Sequence, residues 1–181
     1  KSDLSTVAFA NFGTPLNVVK GVNGIYAMGA NTSPLINRVN FYDFDLNLIQ
    51  TFPQTTISAQ LFRIGIEVGN YFYACNDAGI IIKYNIATNT IVAEVNTNES
   101  AAIRQVFLIN NNTNLIIQSN TGKIKLYDLD LNLIKIWDYY NTSTSGSVFC
   151  IDNNNMIWTQ SVSKNTTIYK KQFIDMTKDI T

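Results

Sequence analysis

Histidine is absent from the 181 residues. Its absence excludes a Ser-His-Asp triad, a Cys-His dyad and every histidine-ligated metal centre. Charge is scarce as well. Asp, Glu, Lys and Arg make up 14% of the sequence, split 13 to 13, so the formal net charge is zero. A nucleic-acid footprint needs a basic excess along one face, so no nucleic-acid partner is expected. Cysteine occurs twice, at Cys75 and Cys150, each in an apolar strand-like setting (YFYACND and SVFCID) with no CxxC spacing. Buried free thiols are expected there, not a redox or zinc motif. No apolar run approaches the length of a membrane-spanning helix, so membrane insertion is not expected. The opening KSDLSTVAF has neither a Met nor a signal-peptide core, the pattern of a processed product or of a piece of a longer protein.

Apolar residues make up 46% of the sequence. A protein of this length has room for one ordinary domain and buries roughly 70% of its unfolded surface without needing a disulfide. The polar remainder is largely Asn, Thr and Ser, a surface that hydrogen-bonds and carries little charge. Such a composition favours an extracellular or virion surface over a cytosolic enzyme and otherwise leaves localisation open. Five N-x-S/T matches, at Asn31, Asn98, Asn111, Asn141 and Asn165, are no more than a sequence so rich in Asn and Thr produces by chance.

What the sequence does have is repetition. YDFDLNLI at residues 42–49 returns as YDLDLNLI at residues 127–134, with a worn copy, YNIATNTI, at residues 84–91. The leading tyrosines, Tyr42, Tyr84 and Tyr127, are 42 and 43 residues apart. A period near 42 in a strand-rich sequence predicts an all-β fold, a β-propeller with one four-stranded blade per repeat and almost no helix. Strands are expected at residues 17–22, 25–30, 38–45 and 48–52 in the first repeat, and at 60–68, 71–75, 80–86 and 90–95 in the second. The third repeat places them at 103–109, 114–119, 123–129 and 133–138, and the fourth at 147–151, 156–161 and 167–173, with 176–181 left for its last strand. Blades then run approximately 13–55, 56–98, 99–142 and 143–181 in one domain of residues 1–181. Gly79 and Gly122 supply positive φ to hairpins, and the Asn runs at 110–112 and 153–155 form hairpin tips. A spare apolar segment, residues 5–12 (STVAFANF), matches the deficit of the last blade, so it is expected to close a four-bladed ring by pairing with residues 167–173. The rival is an arc cut from a six- to eight-bladed propeller; a third reading is a partial propeller that completes itself by oligomerising.

The segments IIKYNIATNTIVAEV at residues 81–95 and LYDLDLNLIKIW at residues 126–137 resemble the blades of the YVTN and PQQ-like propeller group. The resemblance covers the third and fourth strands of three blades and implies the fold only. No quinone-binding residue carries over, and no cofactor is expected. GH…WD pairs, Gly-Gly pairs and Asp-boxes are missing, which sets the sequence apart from WD40, kelch and sialidase blades.

Three groups of residues are candidates for chemistry. Lys20, Arg63 and Arg104 fall on the first strands of three blades, 43 and 41 residues apart, with Ser147 in the fourth. Because first strands line a propeller's channel, these cations form an incomplete ring that could take a carboxylate, a sulfate or an acidic sugar; the plainer reading is local pairing at a strand start. Tyr139 and Tyr140, in the polar loop after the third blade, suit a recognition surface. Asp43, Asp45, Asp128 and Asp130, with Asn47 and Asn132, match the opening of a calcium loop, D-x-D-x-N, but lack its glycine; the alternative is a solvent-facing strand end running into an Asx turn. Glu67, Glu94 and Glu99 are the only glutamates, in settings that suggest no hydrolytic pair. Trp137 and Trp158 are expected to pack between blades, and Lys164, Lys170, Lys171 and Lys178 to line a solvated last strand. These features favour a non-enzymatic module that binds a glycan or the protein subunits of a larger assembly. The alternative is a polysaccharide hydrolase or lyase.

Overall fold

In a computed structural model of the protein, residues 14–32, 35–54, 61–98, 102–109, 111–119, 123–138, 148–151 and 157–160 are described. Among them are strands and turns and no helix. The first blade comprises β1 (Thr14–Lys20), β2 (Ile25–Thr32), β3 (Leu35–Tyr42) and β4 (Leu48–Thr51). The second comprises β5 (Phe62–Val68), β6 (Tyr71–Asn76), β7 (Ile80–Asn85) and β8 (Thr90–Asn96). The third comprises β9 (Ile103–Ile109), β10 (Asn114–Ser119), β11 (Lys123–Asp128) and β12 (Leu133–Asp138). A further hairpin pairs β13 (Val148–Ile151) with β14 (Ile157–Gln160). Each four-stranded sheet is an antiparallel meander in sequence order. The segments expected to close a ring, residues 5–12, 167–173 and 176–181, and the lysines from Lys164 onward lie outside the described residues.

The protein divides into two compact units, Lys1–Thr97 and Asn98–Thr181. In the first, two blades share one core. Tyr26, Met28, Val39, Phe41 and Phe52 of the first blade meet Phe62, Phe72, Ala74, Ile80, Ile82 and Tyr84 of the second. Strand alternation explains the selection. Ile80, Ile82 and Tyr84 are alternate residues of β7, as are Phe72 and Ala74 of β6, so one face of the sheet carries them all. Tyr26 stacks on Phe72 with centroids 3.9 Å apart and planes 6° from parallel. Phe41 and Phe52 flank that stack, and Phe52 reaches Tyr84 at 4.9 Å. Each such ring contributes roughly 1.5–3 kcal/mol through burial, and a favourable aromatic pair adds about 0.5–1.5 kcal/mol. In the second unit the corresponding cluster is aliphatic: Ile109, Ile116, Ile124 and Leu126, with Phe107 and Trp137 packed against it.

Two regularities escape the sequence pattern. Both the first and the last hairpin of a blade carry a β-bulge. In the last hairpin the unpaired residue is Ile49, Val92 or Ile134, beside the pairs Tyr42–Leu48, Tyr84–Ile91 and Tyr127–Leu133. In the first it is Leu16, Arg63 or Arg104. The turn leading into the fourth strand also has a fixed left-handed residue: Leu46 (φ 67°), Asn89 (φ 53°) and Leu131 (φ 66°). Asn accepts that conformation, whereas for most residues it costs roughly 1–2 kcal/mol.

Two stability outcomes follow from this geometry. Leu46→Asn should stabilise by about 1 kcal/mol by relieving the left-handed leucine, whereas Leu131→Asn should destabilise, because Leu131 is only 5% exposed and loses its burial. Urea denaturation of the two variants should therefore show opposite signs. Gly65→Ala should cost about 1–3 kcal/mol as an overpacking change, because a Cβ at Gly65 would overlap the edge of the Phe72 ring and lie 2.8 Å from the Tyr73 carbonyl oxygen. A neutral Gly65→Ala would show that the Phe72 ring can shift without loss.

Candidate functional site

The calcium-like carboxylates sit at the end of a third strand or in the turn that follows it. The third strands were expected to reach residues 45 and 129, but β3 ends at Tyr42 and β11 at Asp128. Asp43 and Asp45 therefore do not share a strand face. The Asp43 carboxylate accepts from the Asn47 backbone N–H at 2.8 Å and from the Asn47 amide at 2.9 Å. Asp128 does the same with Asn132, both at 2.8 Å, and also accepts from the Asp130 N–H at 2.9 Å. Backbone bonds between Asp43 and Asn47, and between Asp128 and Asn132, close both turns identically. The Asn47 side-chain amide and then the Asn47 backbone N–H hold the Asp43 carboxyl below its usual range, against an opposing effect of desolvation and with a lesser contribution from the Asp45 N–H. These oxygens organise an Asx-type turn. Asp45 and Asp130 are exposed beside them. In the second blade Asn85 plays the same part, accepting from Thr88 N–H at 3.0 Å. Among the described residues, no three His, Cys, Asp or Glu side chains gather as metal ligands would.

The cations divide by register. Arg63 and Arg104 are the bulge residues of β5 and β9, so their equivalence is structural as well as numerical. Lys20 is not their counterpart. The bulge of β1 falls at Leu16, and Lys20 is the last ladder residue, paired with Ile25. A 43-residue spacing placed it with the arginines because the first strand begins at Thr14, earlier than its sequence suggested. Arg63 is held locally. Its Nε donates to Asp77 in an ion pair, and its backbone carbonyl accepts from the Asn17 amide at 2.7 Å. Asp77 raises the Arg63 guanidinium further above its ordinary range, against the opposing effect of burial. Arg104 and Lys20 are exposed. Tyr139 and Tyr140 lie outside the described residues, as does the side chain of Trp158.

The other reactive groups are structural. Glu67 Oε2 accepts the Val22 N–H at 3.1 Å, joining the second blade to the β1–β2 turn of the first. Burial, followed by this same carboxylate, pushes the Tyr26 hydroxyl well above the tyrosine range. Burial and then Glu94 act likewise on Tyr84, whose hydroxyl donates to Pro53 O at 3.1 Å. Cys75 is fully buried as a free thiol, and burial pushes it from 9.0 up to about 12. It is therefore a packing residue and a poor nucleophile.

A surface feature that the sequence pattern hides follows the outer strands. Large apolar side groups are exposed at Phe44, Leu48, Ile49, Val92, Leu133, Ile134 and Ile136, each in a fourth strand or the turn before it. Val18 and Val22, in and just after β1, are exposed as well. The bulge residues Ile49, Val92 and Ile134 are 55%, 50% and 44% exposed. The detectable signal was the apolar pair at the end of each repeat, Leu48–Ile49, Ile91–Val92 and Leu133–Ile134, which strict alternation would have required to bury one member.

The Cys75 thiol makes stability sensitive to alkali. Its folded pKa lies above its unfolded one, so the folded state holds the proton more tightly, and stability should fall as pH rises from about 9 towards about 12. Cys75→Ala should remove this part of the decline. In a Cys150→Ser background, thiol reagents should label the native protein only through unfolding; fast native labelling would contradict the burial.

No family model matches the sequence, and no curated protein matches it. Solved structures do. The WD40 β-propeller domain of Doa1 aligns with a TM-score of 0.63 at 13% identity, over 81% of this protein and 47% of that one. The computationally designed Ika8 protein gives 0.63 at 13% identity, over 81% of this protein and 42% of that one. The sequence thus spans somewhat less than half the length of these two. The designed Ika4 protein gives 0.66 at 11% identity, over 89% of this protein and 93% of that one. Identities this low speak to fold alone. With its antiparallel four-stranded meanders, the protein has a β-propeller fold.

Proposed function

We propose that the protein is a non-enzymatic binding or assembly module that offers the outer strands of its blades to the protein subunits of a larger structure. The observation that carries this reading is the concentration of exposed apolar side groups on β4, β8 and β12 and the turns before them. Phe44, Leu48 and Ile49 group on β4 and its turn, and Leu133, Ile134 and Ile136 on β12, and grouped apolar exposure marks a contact region where scattered single residues do not. The bulges support the reading, because a bulge re-aims a side group and weakens an edge strand as a template for uncontrolled pairing. The charged groups fit the same picture: Asp43 and Asp128 hold turns, Glu67 holds a blade seam, and Arg63 is paired with Asp77.

The finer architecture belongs to the same proposal. Four repeats of the YVTN or PQQ-like type form one ring, closed when residues 5–12 pair with residues 167–173. The match to Ika4 covers 89% of this protein and 93% of that one, so the two are of similar extent. A glycan partner is the narrower version of the reading, with Arg104, Tyr139 and Tyr140 as its contacts.

Crosslinking and mass spectrometry on native source material test the assembly reading. Crosslinks should concentrate on β4, β8 and β12, and the Ile49→Lys/Ile134→Lys double variant should lose them while keeping its melting temperature. Evenly scattered crosslinks, or release of new ends from a polysaccharide panel by the purified protein, would overturn it. Solution mass separates a monomeric ring from an arc completed by a second copy.

A further inference from the structure

The β1–β2 turn contains the only Asn-Gly dipeptide in the sequence, Asn23–Gly24, although Asn is one of its commonest residues. Asn23 is exposed. Gly24 lies just outside the β1–β2 ladder, whose last pair is Lys20–Ile25, and its carbonyl accepts from the Gly21 N–H at 2.8 Å. We infer that Asn23 is a site of spontaneous deamidation and that its conversion loosens the seam between the first and second blades.

The chemistry needs only water. The Gly24 nitrogen, giving up its proton to solvent base, bonds to Asn23 Cγ. The Cγ–Nδ2 bond of Asn23 breaks and ammonia leaves, forming a five-membered imide. Water then opens either imide carbonyl, yielding aspartate or isoaspartate. Glycine at the second position favours the first step, because no Cβ shields its nitrogen.

The consequence follows from what surrounds the turn. A Cβ at Gly21 would overlap the Glu67 carboxylate, and one at Gly24 would overlap the Tyr42 carbonyl. Isoaspartate lengthens the backbone by one methylene in a turn with no spare room. Either product also places a negative charge next to Val22, whose N–H is held by Glu67 Oε2 at 3.1 Å. Two carboxylates then compete where one bridges the blades, with Tyr26 packed alongside.

The test is to age the purified protein at mildly alkaline pH and follow it by peptide mass mapping, native isoelectric focusing and thermal melting. The Asn23 peptide should convert before any other asparagine peptide. Because the protein starts at zero net charge, one acidic isoform should appear, and it should melt at a lower temperature. Asn23→Gln should melt like the wild type when fresh and should not form the early isoform. Asn23→Asp, which adds the charge without lengthening the backbone, should lower the melting temperature in the wild type and have little effect in a Glu67→Gln background. Conversion at Asn23 no faster than elsewhere would overturn the site. An unchanged melting temperature in the isoform, or strictly additive effects of Asn23→Asp and Glu67→Gln, would overturn the link to the seam.

Discussion

The described part of the first unit depends on one contact, the stack of Tyr26 on Phe72. A blade is a thin sheet with two apolar faces, and it is stable only when a neighbour covers each face. Stacking fixes where that neighbour sits, because two parallel rings 3.9 Å apart leave little lateral freedom. The stack in turn depends on Gly65, which yields its side-group volume to the Phe72 ring. A small residue in β5, a ring in β6 and a ring in β2 are thus a single packing unit that spans both blades.

Around this apolar centre, hydrogen bonds pin the seam from its inner strands to its outer ones. Near the inner strands the Asn17 amide reaches the Arg63 carbonyl, and the Val22 N–H reaches Glu67. At the outer strands the Gln50 amide donates to Ile86 O at 3.2 Å, and the Asn89 amide donates to Thr51 O at 3.1 Å. The acceptor is a backbone carbonyl in three of these four bonds. This gives the abundance of Asn and Gln a mechanical meaning: amides satisfy main-chain groups that a blade leaves outside its own ladder. An ionic seam would need pairs with a high desolvation cost, and a protein with so little charge has few to offer.

The strands were largely legible, because alternation and turn chemistry are local signals. β9, β10 and β12 fall on their expected residues, and most other strand ends differ by one to three. The bulges were not legible. A bulge inserts one residue into a ladder, and only the partner strand reveals which residue is extra. That is why Lys20 was grouped with Arg63 and Arg104 by counting, while pairing assigns their position to Leu16. It is also why the exposed bulge residues were missed: only the pairing of Tyr42 with Leu48 and of Tyr127 with Leu133 shows that Ile49 and Ile134 are the extra residues. Leu46 and Leu131 hid their left-handed backbone for the opposite reason, since leucine carries no turn signal. The equivalent Asn89, in the least similar repeat, was the visible clue.

The repeated device is therefore a hairpin as well as a strand pattern. A tyrosine stands last or next to last in the third strand, the Asp or Asn after it holds the turn, a left-handed residue reverses the backbone, and a bulge turns an apolar side group outward. The first three steps form the hairpin itself, and the last leaves an apolar side group half in water. At 44–55% exposure, isoleucine or valine at the bulge forgoes about half of the roughly 1.5–3 kcal/mol that full burial would give. The outward apolar residue nonetheless stands in all three complete blades, including the one whose turn has lost its carboxylates. The bulge also blunts an edge strand against uncontrolled pairing, and on the proposed reading it aims the same side group at a partner. The outer strands are where a partner would recover that burial.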